Sequence, residues 1–277
     1  MDRNKVIICV APVSHTGKAV PPGCRNPLTA EEVAAEVADC AAAGAGMVHL
    51  HVRDEAGAQT FKLDVFRNTL DLFTSRTDII VQGSTGGLAD LSLEERCVCL
   101  DESRVEVASL NMGSVNFGEG VYINTFPDIR FWAKRMKERG VMPELECFDL
   151  GMIENSFLLA DEGLLESPMH FNFCLGTRGA LSATARNLSV MRSGLKGDMH
   201  WGLTVEGMPD FSMIACALSF GASVVRIGFE DSFYYSPGKL AATNAVLVEQ
   251  LVRLIVSLGY EVATPAEARQ ILNLSNP

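Results

Sequence analysis

Eight apolar runs rich in β-branched residues, each followed by an amphipathic helical stretch, constrain this chain more than any other feature of its sequence. They fall near residues 5–11, 46–52, 78–84, 104–110, 141–148, 168–174, 199–205 and 223–229. Strand-then-helix alternation produces parallel strands joined by helical crossovers and covered by them. Two helix starts are marked by their own chemistry: Thr29 precedes Glu32 by three residues, and Ser92 precedes Glu95 likewise. In such capping boxes each side chain answers an otherwise orphaned N–H group of the other residue. Eight such units in 277 residues close most economically into a (β/α)8 barrel, with an open doubly wound sheet as the alternative. No low-complexity linker or change of composition divides the sequence, so a single α/β barrel domain over residues 1–277 is expected.

Composition narrows the partners. Apolar residues make up 48% of the chain, ample for one large core, and the formal net charge is −11. With no Lys/Arg-rich run to reverse it locally, that charge repels phosphate backbones and anionic membrane surfaces, so no nucleic acid or membrane partner is expected. No apolar run approaches the roughly 18 residues a membrane helix needs. The short run 6–13 reads as a buried first strand rather than a signal peptide. The eight cysteines are scattered without disulfide-scaffold spacing and read as reduced residues of a soluble, cytoplasmic protein. Cys97 and Cys99 lie in a helical stretch, where residues two apart diverge, and read as core filling.

In a barrel of this kind chemistry belongs at the C-terminal ends of the strands. Residues two apart on a strand share a face, so Met47, His49, His51 and Arg53 point one way and Val48, Leu50 and Val52 the other. With the apolar set under the helices, the two imidazoles face the interior, where both can reach one zinc-type cation. The same spacing also fits two hydrogen-bonded core histidines. In the last strand, Arg226, Gly228 and Glu230 share a face, with Glu230 at the C-terminal end. Two histidines and a glutamate with one open position form a catalytic zinc pattern. Arg226 needs a counter-charge inside a barrel, and Asp231 is its nearest candidate; a carboxylate held by a guanidinium is placed to take a proton. Glu144 and Glu146 share a face on the fifth strand and read as site residues or polar barrel filling. The glycine-rich turns 83–87 and 175–179 read as anion-binding or as tight strand-to-helix connections. The stretch 111–124 is long for a βα connection, and such loops are often functional. His15 follows the first strand, whereas His170 and His200 open theirs and read as structural.

These residues carry a resemblance. The segments His-Leu-His-Val-Arg-Asp (49–54), Ser-Thr-Gly-Gly (84–87), Ala-Ser-Leu-Asn-Met-Gly-Ser-Val-Asn-Phe-Gly (108–118), Pro-Glu-Leu-Glu (143–146), Val-Arg-Ile-Gly-Phe-Glu-Asp (225–231) and Ala-Thr-Pro-Ala-Glu-Ala-Arg (263–269) resemble the 3-keto-5-aminohexanoate cleavage enzymes within the wider beta-keto acid cleavage family. The resemblance implies a TIM barrel holding Zn2+ on His49, His51 and Glu230. It implies condensation of a beta-keto acid with the co-substrate acetyl-CoA, giving acetoacetate and a new acyl-CoA thioester. Asp231, assisted by Arg226, would remove a proton from the keto acid. The substrate would lie among Ser84, Gly86, Gly87, Ser109, Asn111 and Glu146. The resemblance also suggests a homotetramer.

Departures bear on the substrate. The aminohexanoate enzymes carry an acid after the first strand to meet the substrate amine, and the stretch 14–18 here has none. The substrate is therefore not expected to be 3-keto-5-aminohexanoate itself; Lys18 reads either as a contact for an anionic tail or as a solvated lysine. After the seventh strand, Glu206-Gly207-Met208-Pro209-Asp210 replaces the family's Gly-Ile-Gly-Arg. Arg178 is the basic residue expected to contact the acyl-CoA. The rival reading is a zinc hydrolase of amidohydrolase type, whose His-x-His strand end would require further metal-binding histidines on later strands, here His170 and His200.

Overall fold

The eight expected runs form eight parallel strands: β1 (Lys5–Val10), β2 (Met47–Leu50), β3 (Ile80–Gly83), β4 (Val105–Asn111), β5 (Met142–Cys147), β6 (His170–Leu175), β7 (His200–Val205) and β8 (Val224–Ile227). In this computed structural model, residues 4–15, 17–86 and 91–274 are described. Each strand pairs with the next, and Ile7↔Val224 through Val10↔Ile227 join β8 back to β1, closing the barrel. The open doubly wound alternative is thereby excluded.

Helices fill the crossovers: α1 (Ala30–Ala43), α2 (Leu63–Phe73), α3 (Leu93–Arg96), α4 (Phe126–Arg139), α5 (Leu150–Asp161), α6 (Ala185–Ser193), α7 (Ser212–Ser219) and α8 (Asn244–Ser257), with α9 (Pro265–Leu272) at the end. Both expected capping boxes form: Glu32 N–H donates to Thr29 Oγ1 at 3.2 Å and Glu95 N–H to Ser92 Oγ at 3.2 Å, each glutamate answering the cap's own N–H.

Strand alternation splits the core. Outward side chains such as Ile8, Val48, Leu110, Phe171 and Val225 pack beneath the helix layer with Val37, Leu70, Trp132, Leu188 and Leu251. Inward, the amino-terminal end is closed by Ile7, Cys9, Met47, Ile80, Val107 and Val224, packed with Ala268 and Leu272 of α9. Above that plug the inward positions turn polar: Gln82, Ser109, Glu144, Asn172, Thr204 and Arg226 are all buried. The plug forces polar side chains to gather in the carboxyl-terminal half, where strand ends and loops meet.

Two strands end sooner than the sequence pattern predicts. β2 stops at Leu50, leaving His51 just beyond it, and Arg53 belongs to a separate hairpin pairing Val52–Arg53 with Gln59–Thr60. β8 stops at Ile227, and Gly228 turns the chain with φ +143°. A Cβ on Gly228 would stand 2.1 Å from Ala11 O, so only glycine permits this approach. Glu230 therefore reaches the interior by a turn rather than by strand alternation. The stretch 111–124, expected to be a loop, contains a hairpin of Val115–Phe117 and Gly120–Tyr122.

Candidate active site

The two histidines are oriented by glutamines. His49 Nδ1 lies 2.7 Å from Gln82 Oε1, and a carbonyl oxygen only accepts, so Nδ1 carries the proton and Nε2 presents its lone pair to the interior. His51 Nδ1 lies 3.0 Å from the Gln59 side-chain amide on the hairpin after β2. The Nε2 atoms of the two rings face each other at 3.3 Å. Burial drives the His49 imidazole down to about 3 and lowers His51 in the same direction, so both are neutral near neutral pH. Neutral imidazole is the form that ligates metals.

Glu230 completes the cluster, with Oε1 3.8 Å from His49 Nε2 and 3.7 Å from His51 Nε2. Its other oxygen, Oε2, is buried without a hydrogen-bond partner among the described residues. One ligand atom from each of the three lies within 4.8 Å of the others. The lone pair of His49 Nε2, the adjacent His51 Nε2, which a cation would claim by displacing its proton, and an orphaned carboxylate oxygen suit a divalent cation. Burial alone would raise the Glu230 carboxyl, but the charge of Arg226 outweighs it and holds the group ionised, below the ordinary carboxylate range.

Arg226 joins this cluster to the acids. Its Nη2 donates to Glu230 Oε1 at 2.6 Å and to Asp231 Oδ1 at 2.9 Å, while Nε donates to Asp231 Oδ2 at 3.0 Å. Glu146 Oε1 stands 3.8 Å from Nη1. Burial raises the Asp231 carboxyl despite Arg226, with Glu230 adding to the rise. Burial also pushes Glu146 up to about 8, against the pull of Arg226. One guanidinium faces three carboxyl groups, a local excess of negative potential that a bound cation would offset.

Ser84, Gly86, Ser109 and Asn111 line the same strand ends. Ser84 and Gly86 follow β3, with Ser84 Oγ accepting from Gly86 N–H at 3.0 Å. Ser109 and Asn111 are inward residues of β4; Ser109 Oγ accepts from Thr85 N–H at 3.3 Å, and Asn111 sits opposite Glu146 in strand register. Asn111 Nδ2 is buried without a partner among the described residues. Gly87 lies outside the described residues. Arg178 stands apart on the surface, its side chain 79% exposed and paired with Glu119 at 2.6 Å. The turn carrying it needs its glycines for packing: a Cβ on Gly176 would meet Glu206 O at 2.7 Å, and one on Gly179 would meet Asn116 O at 2.7 Å.

His15 is exposed and lines a shallow surface depression with His51, Arg53 and Gln59. His170 and His200 open β6 and β7, paired in register with each other and outside the His49–His51–Glu230 cluster. The hydrolase reading loses the later-strand ligands it required. Lys18 is not a solvated loop residue; its ammonium lies on three backbone carbonyls.

Sequence reasoning missed Gln82, Gln59 and Tyr122. Gln82 was accessible by parity, being an inward residue of β3 two positions before Ser84. Tyr122 closes over the site from the 115–122 hairpin, where a Cβ on Gly86 would stand 2.9 Å from its hydroxyl. Only the pairing of that hairpin reveals it.

A closed parallel barrel with an ionisable cluster at its carboxyl-terminal strand ends defines a TIM-barrel enzyme. The family model described as beta-keto acid cleavage enzyme matches residues 5–274, and the chain belongs to that family. It is 41% identical over 250 residues to a 3-keto-5-aminohexanoate cleavage enzyme of Fusobacterium nucleatum, covering 90% of each chain. It is 33% identical over 274 residues to a 3-oxoadipate:acetyl-CoA acetyltransferase of Cupriavidus necator, covering 96% of this chain and 95% of the relative. Among solved structures, ObcA bound to oxaloacetate superposes with a TM-score of 0.78 at 21% identity, covering 91% of this chain and 68% of that one. That last likeness concerns the fold alone.

Proposed function

We propose that this enzyme condenses a beta-keto acid with acetyl-CoA and cleaves the adduct to acetoacetate and a new acyl-CoA thioester, using zinc held by His49, His51 and Glu230. The observation that carries the reading is the placement of those three ligand groups against the Arg226–Asp231 pair in a chain of this family. Zinc bound there would polarise the keto oxygen and acidify the adjacent C–H. Asp231 accepts that proton. Its raised affinity for a proton, caused by burial beside Glu230, suits a base, and the two bonds from Arg226 fix its direction. Glu146, poised at about 8, can hold or release a proton at the opposite wall.

Ser84, Gly86, Gly87, Ser109 and Asn111 receive the substrate carboxylate, the Asn111 amide offering an uncommitted donor. Arg178 meets the acyl-CoA at the rim, where its exposure leaves it accessible. The substrate is a beta-keto acid other than 3-keto-5-aminohexanoate, as the absence of an acid at 14–18 supports. Family resemblance supports a homotetramer, and exposed Leu158, Val190, Phe220 and Val256 on or beside the outer helices offer apolar contact surface. The unpaired cysteines suit the reducing cytoplasm. No helix among the described residues is long and apolar enough to cross a membrane.

The deciding assay supplies acetyl-CoA with a panel of cationic, neutral and anionic beta-keto acids and follows acetoacetate. Activity should vanish after chelation and return with zinc. Glu230→Ala should lose both metal and turnover. Asp231→Asn should keep the metal while kcat falls about 10²- to 10⁴-fold, the usual size of a general-base contribution. Full turnover in exhaustively chelated protein, or product formed without acetyl-CoA, would refute the reading.

A further inference from the structure

The turn Phe229-Glu230-Asp231 carries both a ligand of the proposed metal and the proposed base, yet it belongs to no strand or helix. Its N–H groups are all satisfied: Phe229 N–H donates to Asn244 Oδ1 at 2.8 Å, Glu230 N–H to Ala11 O at 3.1 Å, and Asp231 N–H to Gly228 O at 3.0 Å. Its carbonyls are also taken up, Asp231 O by Gly207 N–H at 3.0 Å and all three by the loop after β1. There Lys18 Nζ donates to Phe229 O at 3.2 Å, Glu230 O at 2.7 Å and Asp231 O at 3.1 Å. An ammonium group has three donors, and all three are placed on successive carbonyls of one turn. The same Nζ sits 5.3 Å from the centre of the Phe233 ring, two residues past the turn.

We propose that Lys18 is a positioning residue, a clamp that sets the direction of the Glu230 and Asp231 side chains and does not read the charge of the substrate. Fixing three consecutive carbonyls fixes the peptide planes between them, and with them the directions of the two side chains that leave the turn. Groups that hold a metal ligand in place typically change metal affinity about 10- to 100-fold when removed. Committed donors also leave Lys18 no hydrogen bond for an incoming carboxylate, so this proposal deepens the one above by removing Lys18 as a selector of dianionic substrates.

The test is Lys18→Met, which keeps the stem against Phe233 and removes the donors, with Lys18→Arg as a variant that keeps charge and donors. Chelator competition should show metal affinity about 10- to 100-fold weaker in K18M, with R closer to wild type. Amide exchange in a peptide spanning 228–233 should quicken in metal-free K18M. At saturating zinc, kcat should fall by a similar factor for cationic, neutral and anionic keto acids, with KM nearly unchanged. Unaltered metal affinity and exchange, with KM raised for dicarboxylic acids alone, would overturn the clamp. Should K18M fail to fold, Lys18→Gln, which is shorter, uncharged and cannot span three carbonyls, carries the same comparison. The proposal rests on the metal reading, but the two fail separately: wild-type protein that binds no zinc refutes that reading, whereas the exchange rates of the metal-free proteins still judge the clamp.

Discussion

Glu146 shows what burial does to a single carboxyl group in this site. Burial lifts it from an ordinary 4.5 to about 8, so the native metal-free protein keeps a proton that the unfolded chain has already lost across that window. Binding more protons in the native state means that stability is present at low pH and falls as pH rises through about 8. Glu146→Gln removes this dependence. In urea unfolding of chelated protein, the variant should gain on wild type by on the order of 1–3 kcal/mol between the two ends of the window. Parallel pH profiles would show that Glu146 is solvated and ordinary. At this scale the sequence was readable wherever parity applied: His49, Ser109, Asn111, Glu146 and Arg226 are all inward, as alternation requires. It was silent where a side chain's role depends on a distant backbone. Lys18 stands beside Phe229–Asp231 only because β1 and β8 close the barrel, and local spacing carries no trace of that.

Among the elements, strands and helix caps were legible because their signals are local, namely apolar alternation and a Thr or Ser three residues ahead of a Glu. The turn after β8 was not. Arg-Ile-Gly-Phe-Glu continues an alternating pattern, and nothing in it announces that Gly228 leaves the sheet at φ +143°. The hairpins at 52–60 and 115–122 were hidden for the opposite reason, having only two or three residues per strand, too few for alternation to register. Gly228 supplies the test at this scale. Gly228→Ala would drive a Cβ against Ala11 O, whose acceptor role toward Glu230 N–H holds the turn on the exit of β1. The expected loss is on the order of 3 kcal/mol or more, with metal affinity falling alongside. Gly118→Ala is the control: its φ is +61° but a Cβ there meets nothing within 4 Å, so it should cost only about 1 kcal/mol. Equal losses in thermal unfolding would deny that close approach is what the turn requires.

The whole molecule keeps stability and chemistry at opposite ends of one barrel. Below, Ile7, Met47, Ile80, Val107 and Val224 pack against Ala268 and Leu272, and α9 is pinned by Arg269, whose Nε and Nη2 reach Glu106 at 2.7 Å each. Above, the inward positions turn to Gln82, Glu144, Asn172 and Arg226, and the ligand groups follow at the strand ends. Because the polar layer stands between, damage to the plug should reach stability without reaching the site. Leu272 is fully buried, and Leu272→Ala should cost about 2–5 kcal/mol through lost transfer energy and the cavity left behind. For a chain of this size that lowers Tm by roughly 5–15 °C. Zinc affinity and kcat, measured well below the new Tm, should stay within about twofold of wild type, since sites far apart with no shared partners act independently. A large loss of metal affinity in this variant would mean that the plug and the ligand cluster move as one unit, and that the interior layers transmit strain from α9 to the strand ends.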